Sequence, residues 1–520
     1  MKISIANSIL FVCGILLTTL QTTAHAGQSN TGVRAQQLPL SGGLGGSSVS
    51  MRQNATGQSG TNTIGTTLQI EGHYQGSMPD PTATGTSFHL TLQDAIRRGL
   101  QFNLAAVSAG ASLRYARAER LSALSEMLPK FNASLNMNEE KADLQAEGLS
   151  SSTLKKVSPT LASALPTTVG PFHYYDARAS VSEDAFDLVA LHNHRSQMEL
   201  QRAAELNEHD ARALVILAVS GGYLNVLAGQ ALVASQTAQV QYAQSSFDQA
   251  AAQHAAGTKA LIDAERSQVQ LMTEQQRLRS DQADLEKQKL SLARMLGLPL
   301  RTQLILAETL TPNPQPLDPV NAMITRGIER RADLQSAEAS VRAAEQALKA
   351  ARAERLPNVG MTGFYGIQGI APSNGGNGVF SVSGSVNIPL WQGRRTEADV
   401  RAAQAVADQR RAEFADKRGA VEMEIRSTYI DATVANDQVS VADKNRKLAL
   451  DTLRQSQDRF VAGVATSVEV VQSEESLAAA ERDYINSLYS QNLALISLWR
   501  ATGDVEQHIS SLLKEHQDAN

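Results

Sequence analysis

The sequence predicts a mostly helical chain that also carries a β-barrel portion and is built from a tandem repeat. Three observations predict this fold class. Two stretches of about 70 residues contain no proline and are rich in strong helix formers. Four shorter stretches of about ten residues alternate between apolar and polar side chains, which is the period of a strand. The same markers then recur at a fixed distance along the chain.

The composition limits the class of protein. The chain has 520 residues, of which 19% are charged and 4% aromatic. Its mean hydropathy of -0.23 is too polar for a helical membrane protein. The formal net charge of -5 gives no basic excess, so nucleic acid is not an expected partner. Beyond residue 26 no continuous apolar run reaches the roughly 18 residues that a spanning helix needs, so no such helix is expected.

Residues 1–26 are predicted to be a secretory signal peptide. Lys2 supplies the positive end, residues 9–20 form a mainly apolar core, and small alanines precede the expected cleavage site. The single cysteine, Cys13, lies inside this core. Val12 stands where a lipoprotein signal needs a small residue, so lipidation is not expected.

The segment after the signal, residues 27–86, is rich in Gly, Ser, Thr, Gln and Asn and includes the run SGGLGGSS from Ser41. Such a composition buries too little apolar surface to offset the entropy lost on ordering. We therefore predict a disordered or loosely attached N-terminal arm. No Gly-Lys-Ser/Thr sequence follows these glycines, so a phosphate-binding loop is not predicted.

A first unit is predicted over residues 90–299. It begins with one helix that runs to Leu128, where Pro129 ends it. Two alternating strands follow, separated by a loop rich in Ser, Thr and Leu. A helix of about 72 residues then leads to Gly257, and a further helix ends at Gly297. The apolar strand positions are Phe131, Ala133, Leu135 and Met137, then Tyr175, Ala177, Ala179 and Val181.

A second unit, residues 319–503, follows a proline-containing linker over residues 300–318, and residues 504–520 are predicted to be a tail. It repeats the order of one helix, two strands, a helix of about 70 residues and a final helix. Equivalent markers in the two units are each 206 positions apart: Tyr223 and Tyr429, Gly257 and Gly463, Asp263 and Glu469, Gly297 and Gly503. Such an offset indicates a tandem duplication.

The long helices carry a narrow apolar seam. Its members recur every seven residues: Ala264, Leu271, Leu278, Leu285 and Leu292. This spacing indicates helices that pack along their length, as in a coiled coil. The periodicity does not decide whether several helices form a tube or a rod.

The strands satisfy the requirements of a membrane barrel, because each has an apolar and a polar face and a length that crosses a tilted bilayer. A soluble sheet on a core has the same alternation and stays an alternative. Four strands cannot close a barrel, since the smallest membrane barrels have about eight. Membrane strands would therefore come from several chains, and three chains would supply twelve.

The chain resembles the TolC-like outer-membrane efflux protein family over about residues 90–503. Any one of the matching segments is weak, and their order and duplicated spacing carry the resemblance. The segments are LTLQDAIRRGLQFN from Leu90, EDAFDLV (183–189), NIPLWQGRR (387–395), RFVAGVATSVEVV (459–471), and the repeat ends ARMLGLP and LWRATGD.

The resemblance implies a homotrimer in the cell outer membrane. Twelve strands form a barrel that continues into a periplasmic tunnel of helices. The implied function is a passive exit duct of an efflux or type I secretion system. Its implied partners are outer-membrane lipid, a periplasmic adaptor protein and an inner-membrane transporter of the RND, ABC or MFS type.

The resemblance also implies roles for the hairpin tips. The adaptor-facing turns are Gly257, Thr258, Gly463, Val464, Ala465 and Thr466. Asp263 and Glu469, six residues after the tip glycines, match the family's constriction, where a ring of carboxylates favours cations. The family uses a second acid and a basic residue at the places of Gln472 and Ala465. Two carboxylates that cap helix starts are the alternative.

At the strand-to-helix junctions the residues singled out are Phe186, Pro389, Trp391 and Gly393. The two aromatic residues could anchor the barrel at the membrane interface or pack between barrel and tunnel, and both roles stay open. No metalloprotease, nucleophile-elbow or P-loop pattern occurs, so no enzyme, cofactor or metal site is predicted. The alternative function is a secreted periplasmic coiled-coil structural or adaptor protein.

Overall fold

The computed structural model of the protein describes residues 34–36, 38, 48–55, 64–81, 87–143, 146, 166–370 and 375–509. The predicted signal peptide and most of the predicted tail lie outside these residues. The chain divides into two compact units. Unit 1 comprises residues 1–38, 119–197 and 343–407, and unit 2 comprises residues 39–118, 198–342 and 408–520.

Helices dominate the described residues. They are α1 (Leu92–Phe102), α2 (Leu104–Ser125), α3 (Leu188–Ala255), α4 (Leu261–Met295), α5 (Val320–Arg330), α6 (Ala332–Ala353), α7 (Arg395–Val461), α8 (Ser467–Thr502) and α9 (Val505–His508). The strands are β1 (Val49–Ala55), β2 (Ile64–Ile70), β3 (Ser87–Leu90), β4 (Lys130–Asp143), β5 (Thr168–Phe186), β6 (Gln303–Leu306), β7 (Asn358–Gly369) and β8 (Asn377–Asn387). The two long hairpins, α3–α4 and α7–α8, have the predicted lengths.

Unit 1 contains an antiparallel sheet in the order β4-β5-β7-β8. The register places apolar residues of neighbouring strands opposite one another, as in Leu135 with Ala177 and Ala177 with Ile367. Tyr365 likewise lies opposite Phe380. Because side chains on paired positions share a face, the four predicted apolar faces form one surface. The alternation therefore predicted both the strands and the facing of their side chains.

In unit 2 four of the five predicted seam positions on α4 are buried as expected, and Leu278 is half-buried. Ala264, Leu271, Leu285 and Leu292 are each at most 8% exposed, and Leu477 and Leu498 on α8 are at most 1% exposed. The largest core includes side chains of α1, α3, α4 and α8, with Tyr223 fully buried at its centre. A parallel pair of short strands, β3 and β6, borders this core. The segment predicted as a linker over residues 300–318 thus contains a strand.

The first helix of each repeat was predicted as one piece, and this prediction is wrong. The first breaks at Asn103 and the second at Arg331, where the backbone is extended. Asn103 is fully buried, and its side chain donates to the Tyr74 carbonyl and accepts from the Ala105 amide. The bond to Ala105 is local and competes with the helix, and the bond to Tyr74 joins the break to a distant segment. The breaks are 228 residues apart, the same offset that separates Pro129 and Pro357.

The predicted arm is ordered where the structure describes it, so the expectation of disorder is wrong for those residues. Strands β1 and β2 form an antiparallel hairpin. Met51, Leu68 and Ile70 pack against the core of unit 2. A few apolar residues in a polar segment give little compositional signal, but a hairpin concentrates them on one face.

A network of three basic and three acidic side chains crosses unit 2: Arg331, Lys417, Arg500, Asp210, Asp333 and Glu424. Arg331 is 3% exposed and makes two hydrogen bonds to Asp333, at 2.9 and 2.7 Å. Its third bond, from Nη1 to Glu424 Oε2, is 2.6 Å long. Through Arg331, at the break between α5 and α6, the network joins α6, α7, α8 and α3.

Helix α3 contains one stretch that is long and apolar enough to cross a membrane by length and composition, with a mean hydropathy of 1.6. Within the protein 72% of this stretch is buried, because it passes through the core around Tyr223. The absence of a continuous apolar run therefore did not exclude such a stretch. Because most of the stretch is buried in the core of the protein, its apolar composition is explained without a membrane.

Candidate functional site

The sheet of unit 1 presents its apolar face to solvent. Phe131, Leu135 and Met137 on β4 are 70–79% exposed, and Phe380 and Val382 on β8 are 74–77% exposed. A soluble sheet would bury such a face against a core, and an exposed apolar patch of this kind marks a membrane or protein contact. Among the described residues β4 pairs only with β5, and β8 only with β7. The sheet therefore also presents two edges that could pair with other strands.

The junction residues lie where strands of unit 1 meet helices. Phe186 ends β5 and is 51% exposed, and Trp391, just after β8, is 81% exposed. Pro389 lines a cavity of about 70 Å³, and Gly393 has a φ of 61°. Asp187 caps α3 by accepting hydrogen bonds from the amides of residues 189 and 190. The exposure of both aromatic rings suits a contact outside the chain.

The hairpin tips in unit 2 turn at the predicted glycines. Gly257 has a φ of 72° and Gly463 a φ of 78°, a conformation that favours glycine. In each turn the next amide bonds back to the preceding helix, from Thr258 to residue 253 and from Val464 to residue 459. These bonds satisfy carbonyl groups at the helix ends.

The structure brings Asp263 and Glu469 into the first turns of α4 and α8, as the capping alternative expects. Asp263 Oδ1 accepts a hydrogen bond of 2.6 Å from Ser467 Oγ, so the two hairpins touch. Glu469 Oε1 lies 3.0 Å from Arg459 Nη1. Each acidic side chain thus has a partner within the chain, and a role at a constriction stays a prediction.

Sequence reasoning missed the basic residues at the tips. The resemblance places the family's basic residue at the position of Ala465. In this chain Ala465 is 5% exposed and packs in a small apolar cluster. The basic groups are Arg459, on the other arm of its hairpin, and Lys259, whose Nζ donates to the Ala465 carbonyl at 3.3 Å. Lys259 Nζ also lies 4.9 Å from the centre of the Phe460 ring. Pairing the two arms of each hairpin across its turn would have found Arg459.

A buried polar layer crosses the helices of unit 2. Glu274 is 3% exposed and accepts from Gln270 at 2.9 Å and from Arg277 at 2.7 Å. Glu474 is 4% exposed and accepts one bond of 2.5 Å from Ser246. Its second carboxyl oxygen has no hydrogen-bond partner among the described residues. Burial raises the pKa of Glu474, and the negative charge of Glu274 raises it further.

Glu474→Gln is expected to stabilise the fold by about 1–2 kcal/mol at pH 7, since it removes a buried charge that is incompletely paired. A carboxyl whose pKa is raised on folding destabilises the folded state increasingly as pH rises above its ordinary value of 4.5. The increase in the free energy of unfolding caused by Glu474→Gln should therefore become smaller below pH 4.5. Denaturant unfolding of both proteins at pH 7 and pH 4 measures this change. Glu475→Gln, at an exposed neighbour, is the control. An equal effect of both changes would contradict the argument.

Among the described residues no group of three or more His, Cys, Asp and Glu side chains is arranged to hold a metal ion. The candidate site consists of several surfaces. They are the apolar sheet face with its two free edges, the two strand-to-helix junctions, and the two hairpin tips, which contact each other.

The chain is similar to known outer-membrane proteins. Residues 323–504 match the family model described as outer membrane efflux protein. The outer membrane protein OprJ of Pseudomonas aeruginosa is 28% identical over 183 residues, which are 34% of this chain and 37% of that protein. The chain thus spans well under half the length of this curated relative.

Solved structures match most of the chain. The outer membrane protein VceC of Vibrio cholerae is 20% identical with a TM-score of 0.67, and the match covers 79% of this chain and 96% of that one. The CmeC outer membrane channel of Campylobacter jejuni is 15% identical with a TM-score of 0.69, over 81% of this chain and 89% of that one. The resemblance and the outer-membrane location expected from the sequence are thereby confirmed. Residues 323–504 thus match the outer membrane efflux protein family, and the chain has the fold of the TolC-like outer-membrane channels.

Proposed function

We propose that this protein is the outer-membrane exit duct of a tripartite efflux or type I secretion system. The observation that carries the proposal is the sheet of unit 1, which has an exposed apolar face and two free edges in a chain with two long helical hairpins. Open sheet edges are not viable in lipid. Several copies must therefore pair β4 of one chain with β8 of another.

Three copies fit best. Their twelve strands exceed the roughly eight of the smallest membrane barrels. Six hairpins, two from each chain, would supply twelve helices for a tunnel. The polar face of β8, with Ser381, Ser383 and Ser385, would then line a water-filled lumen. In this assembly the duct is passive, because the chain shows no pattern for nucleotide binding.

The hairpin tips are the proposed contact with a periplasmic adaptor, through which an inner-membrane pump of the RND, ABC or MFS type delivers cargo. Leu261 and Ile262 are 54% and 52% exposed, and Val464 is 68% exposed. Apolar side chains on a solvent-exposed tip suit a protein partner.

At the tips we propose an acidic constriction of Asp263 and Glu469. Three copies would place six carboxylates around one pore, which favours cations. Arg459 lies 3.0 Å from Glu469 and offsets part of this charge. Removing the acids and removing the base should therefore change ion selectivity in opposite directions.

Single-channel recording in planar bilayers tests the constriction. The double change Asp263→Ala with Glu469→Ala is expected to raise conductance and reduce cation preference, whereas Arg459→Ala is expected to increase cation preference. The control is Asp284→Ala with Glu286→Ala, which removes the same charge from exposed ion pairs on α4. Unchanged selectivity in both tip variants would remove these residues from the constriction and leave the duct itself standing.

The duct is tested by fractionation and by oligomeric state. Recovery in the outer membrane as a heat-modifiable oligomer is expected. A protein found wholly in the soluble periplasm would instead support the second candidate, a coiled-coil structural or adaptor protein. The exposed apolar sheet argues against that candidate, since a coiled-coil rod has no use for it.

A further inference from the structure

Three residues near the N-terminus, Arg34, Ala35 and Gln36, contact helices of unit 1. The Arg34 guanidinium lies 3.1 Å from Asp399 on α7. The Ala35 amide donates to Glu354, the residue after α6, at 2.9 Å. We call residues 34–36 the strap.

A single side chain of α3 holds the backbone on both sides of Ala35. The Gln36 amide donates to Asn193 Oδ1 at 3.1 Å, and Asn193 Nδ2 donates to the Arg34 carbonyl at 2.8 Å. One turn further along α3, Gln197 Nε2 donates to the Gln36 side chain at 2.6 Å. Residues four apart share a helix face, so these two amides form one polar edge. Protein domains that bind extended peptides use the same kind of contact, in which hydrogen bonds to the peptide backbone provide affinity.

The side chains that hold the strap are themselves buried. Asn193 is 7% exposed, Gln197 4%, Glu354 8% and Asp399 5%. Polar groups at such depth destabilise a fold unless they are hydrogen-bonded. Four of them, brought from three elements of the chain to a tripeptide, form a built recognition surface. With the strap in place, these four side chains are covered, and each of them pairs with a strap atom.

The middle of the strap fits only a small side chain. Ala35 is 7% exposed and packs in a cluster with Val189 and with Ala350, Ala351 and Ala353. A floor of alanines surrounds Ala35, so a larger side chain at this position is expected to displace packed neighbours. The surface therefore selects an extended segment with a basic residue, a small residue and an amide in that order.

We propose that Asn193, Gln197, Glu354 and Asp399 form a peptide-binding groove whose occupant is the chain's own strap. The bound strap joins α3, α6 and α7 at the rim of the cavity that Pro389 and Arg34 line. This site is independent of the duct function, because all of its contacts lie within unit 1 of one chain.

Hydrogen exchange on the intact protein tests the groove. The Ala35 and Gln36 amides are expected to be protected. Asn193→Ala should speed their exchange about tenfold, the effect of losing one buried hydrogen bond. Asp399→Asn should also speed it, whereas Glu397→Gln, at an exposed ion pair two residues earlier on α7, should not. Rapid exchange in the unchanged protein, or equal rates in all variants, would overturn the proposal.

A second measurement uses a peptide. In the full-length Ala35→Leu protein the strap is expected to leave the groove, which should then bind a labelled peptide of residues 31–40, TGVRAQQLPL. The same peptide carrying A35L should bind at least about tenfold more weakly. Ala35→Ser, which keeps a small side chain, should retain the strap and block the peptide. If Ala35→Leu does not fold, Arg34→Ala with Gln36→Ala vacates the groove instead. Peptide binding that ignores the residue at position 35 would contradict the groove.

Discussion

Arg331→Met is expected to lower the free energy of unfolding by about 3–5 kcal/mol, the usual effect of removing one partner from a buried ion pair. Arg331 makes two hydrogen bonds to Asp333 and one to Glu424. Methionine fills a similar volume but donates nothing. Within the described part of the chain, Asp333, 8% exposed, would keep only Lys417 at 2.8 Å as a basic partner.

The effect should depend on pH in a definite direction. Burial alone would raise the pKa of Asp333, but the hydrogen bonds and charge of Arg331 hold it well below its ordinary 3.8. Burial would likewise raise the pKa of Glu424, but the positive charges of Arg500 and Arg331 outweigh burial and hold this pKa below its ordinary 4.5. Carboxylates with lowered pKa values stabilise the fold above those ordinary values and lose this contribution as pH falls. The difference between the two proteins should therefore narrow below about pH 4.

Denaturant unfolding in detergent at pH 7 and pH 3 measures both expectations. Arg426→Met is the matched control, because Arg426 lies two residues after Glu424 on the same helix and pairs with Glu422 at the surface, where both side chains are about half exposed. Exposed pairs contribute about 0–1 kcal/mol. Equal losses in the two variants, or a loss independent of pH, would show that the network does not act through charge.

The network also marks a limit of sequence reasoning. Regular elements were predicted because they repeat a local signal, such as the seven-residue seam of α4 or the alternation of β4. Pro129 and Pro357 fixed the helix-to-strand boundaries in both repeats. The breaks at Asn103 and Arg331 have no such signal, because they also depend on contacts with Tyr74 and Glu424, which lie far away in the sequence.

Long-range contacts likewise explain the failures at the N-terminus and at the tips. Met51 and Leu68 find their apolar partners on helices more than a hundred residues away, so composition alone suggested disorder. Ala465 was compared with a family position, whereas the basic group that meets Glu469 is Arg459, across the turn. In the candidate site the turns and strands followed from local rules, and the ion pairs depended on how the hairpins meet.

Gly297→Ala is expected to destabilise the protein by about 2–4 kcal/mol. Gly297 follows α4 with a φ of 71°, where an alanine Cβ adds about 1–2 kcal/mol of backbone strain. A Cβ there would also lie 2.6 Å from the Met78 carbonyl oxygen and 3.0 Å from Phe102 Cβ. The backbone cannot move away freely, because the Gly297 carbonyl accepts a hydrogen bond of 2.9 Å from the Asp80 amide.

The tip glycine Gly463 separates the two contributions. Its φ of 78° is similar, but no described atom lies within 4 Å of an added Cβ. Gly463→Ala should therefore show the strain alone, about 1–2 kcal/mol. Thermal unfolding of the two variants under the same conditions measures the difference between their losses of stability. We attribute this difference to the contact of the added Cβ with residues 78 and 102. Equal decreases in stability for the two variants would mean that residues 78 and 102 move away from the added Cβ at no energetic cost. The packing of Gly297 against the segment before α1 would then be looser than the hydrogen bond to Asp80 indicates.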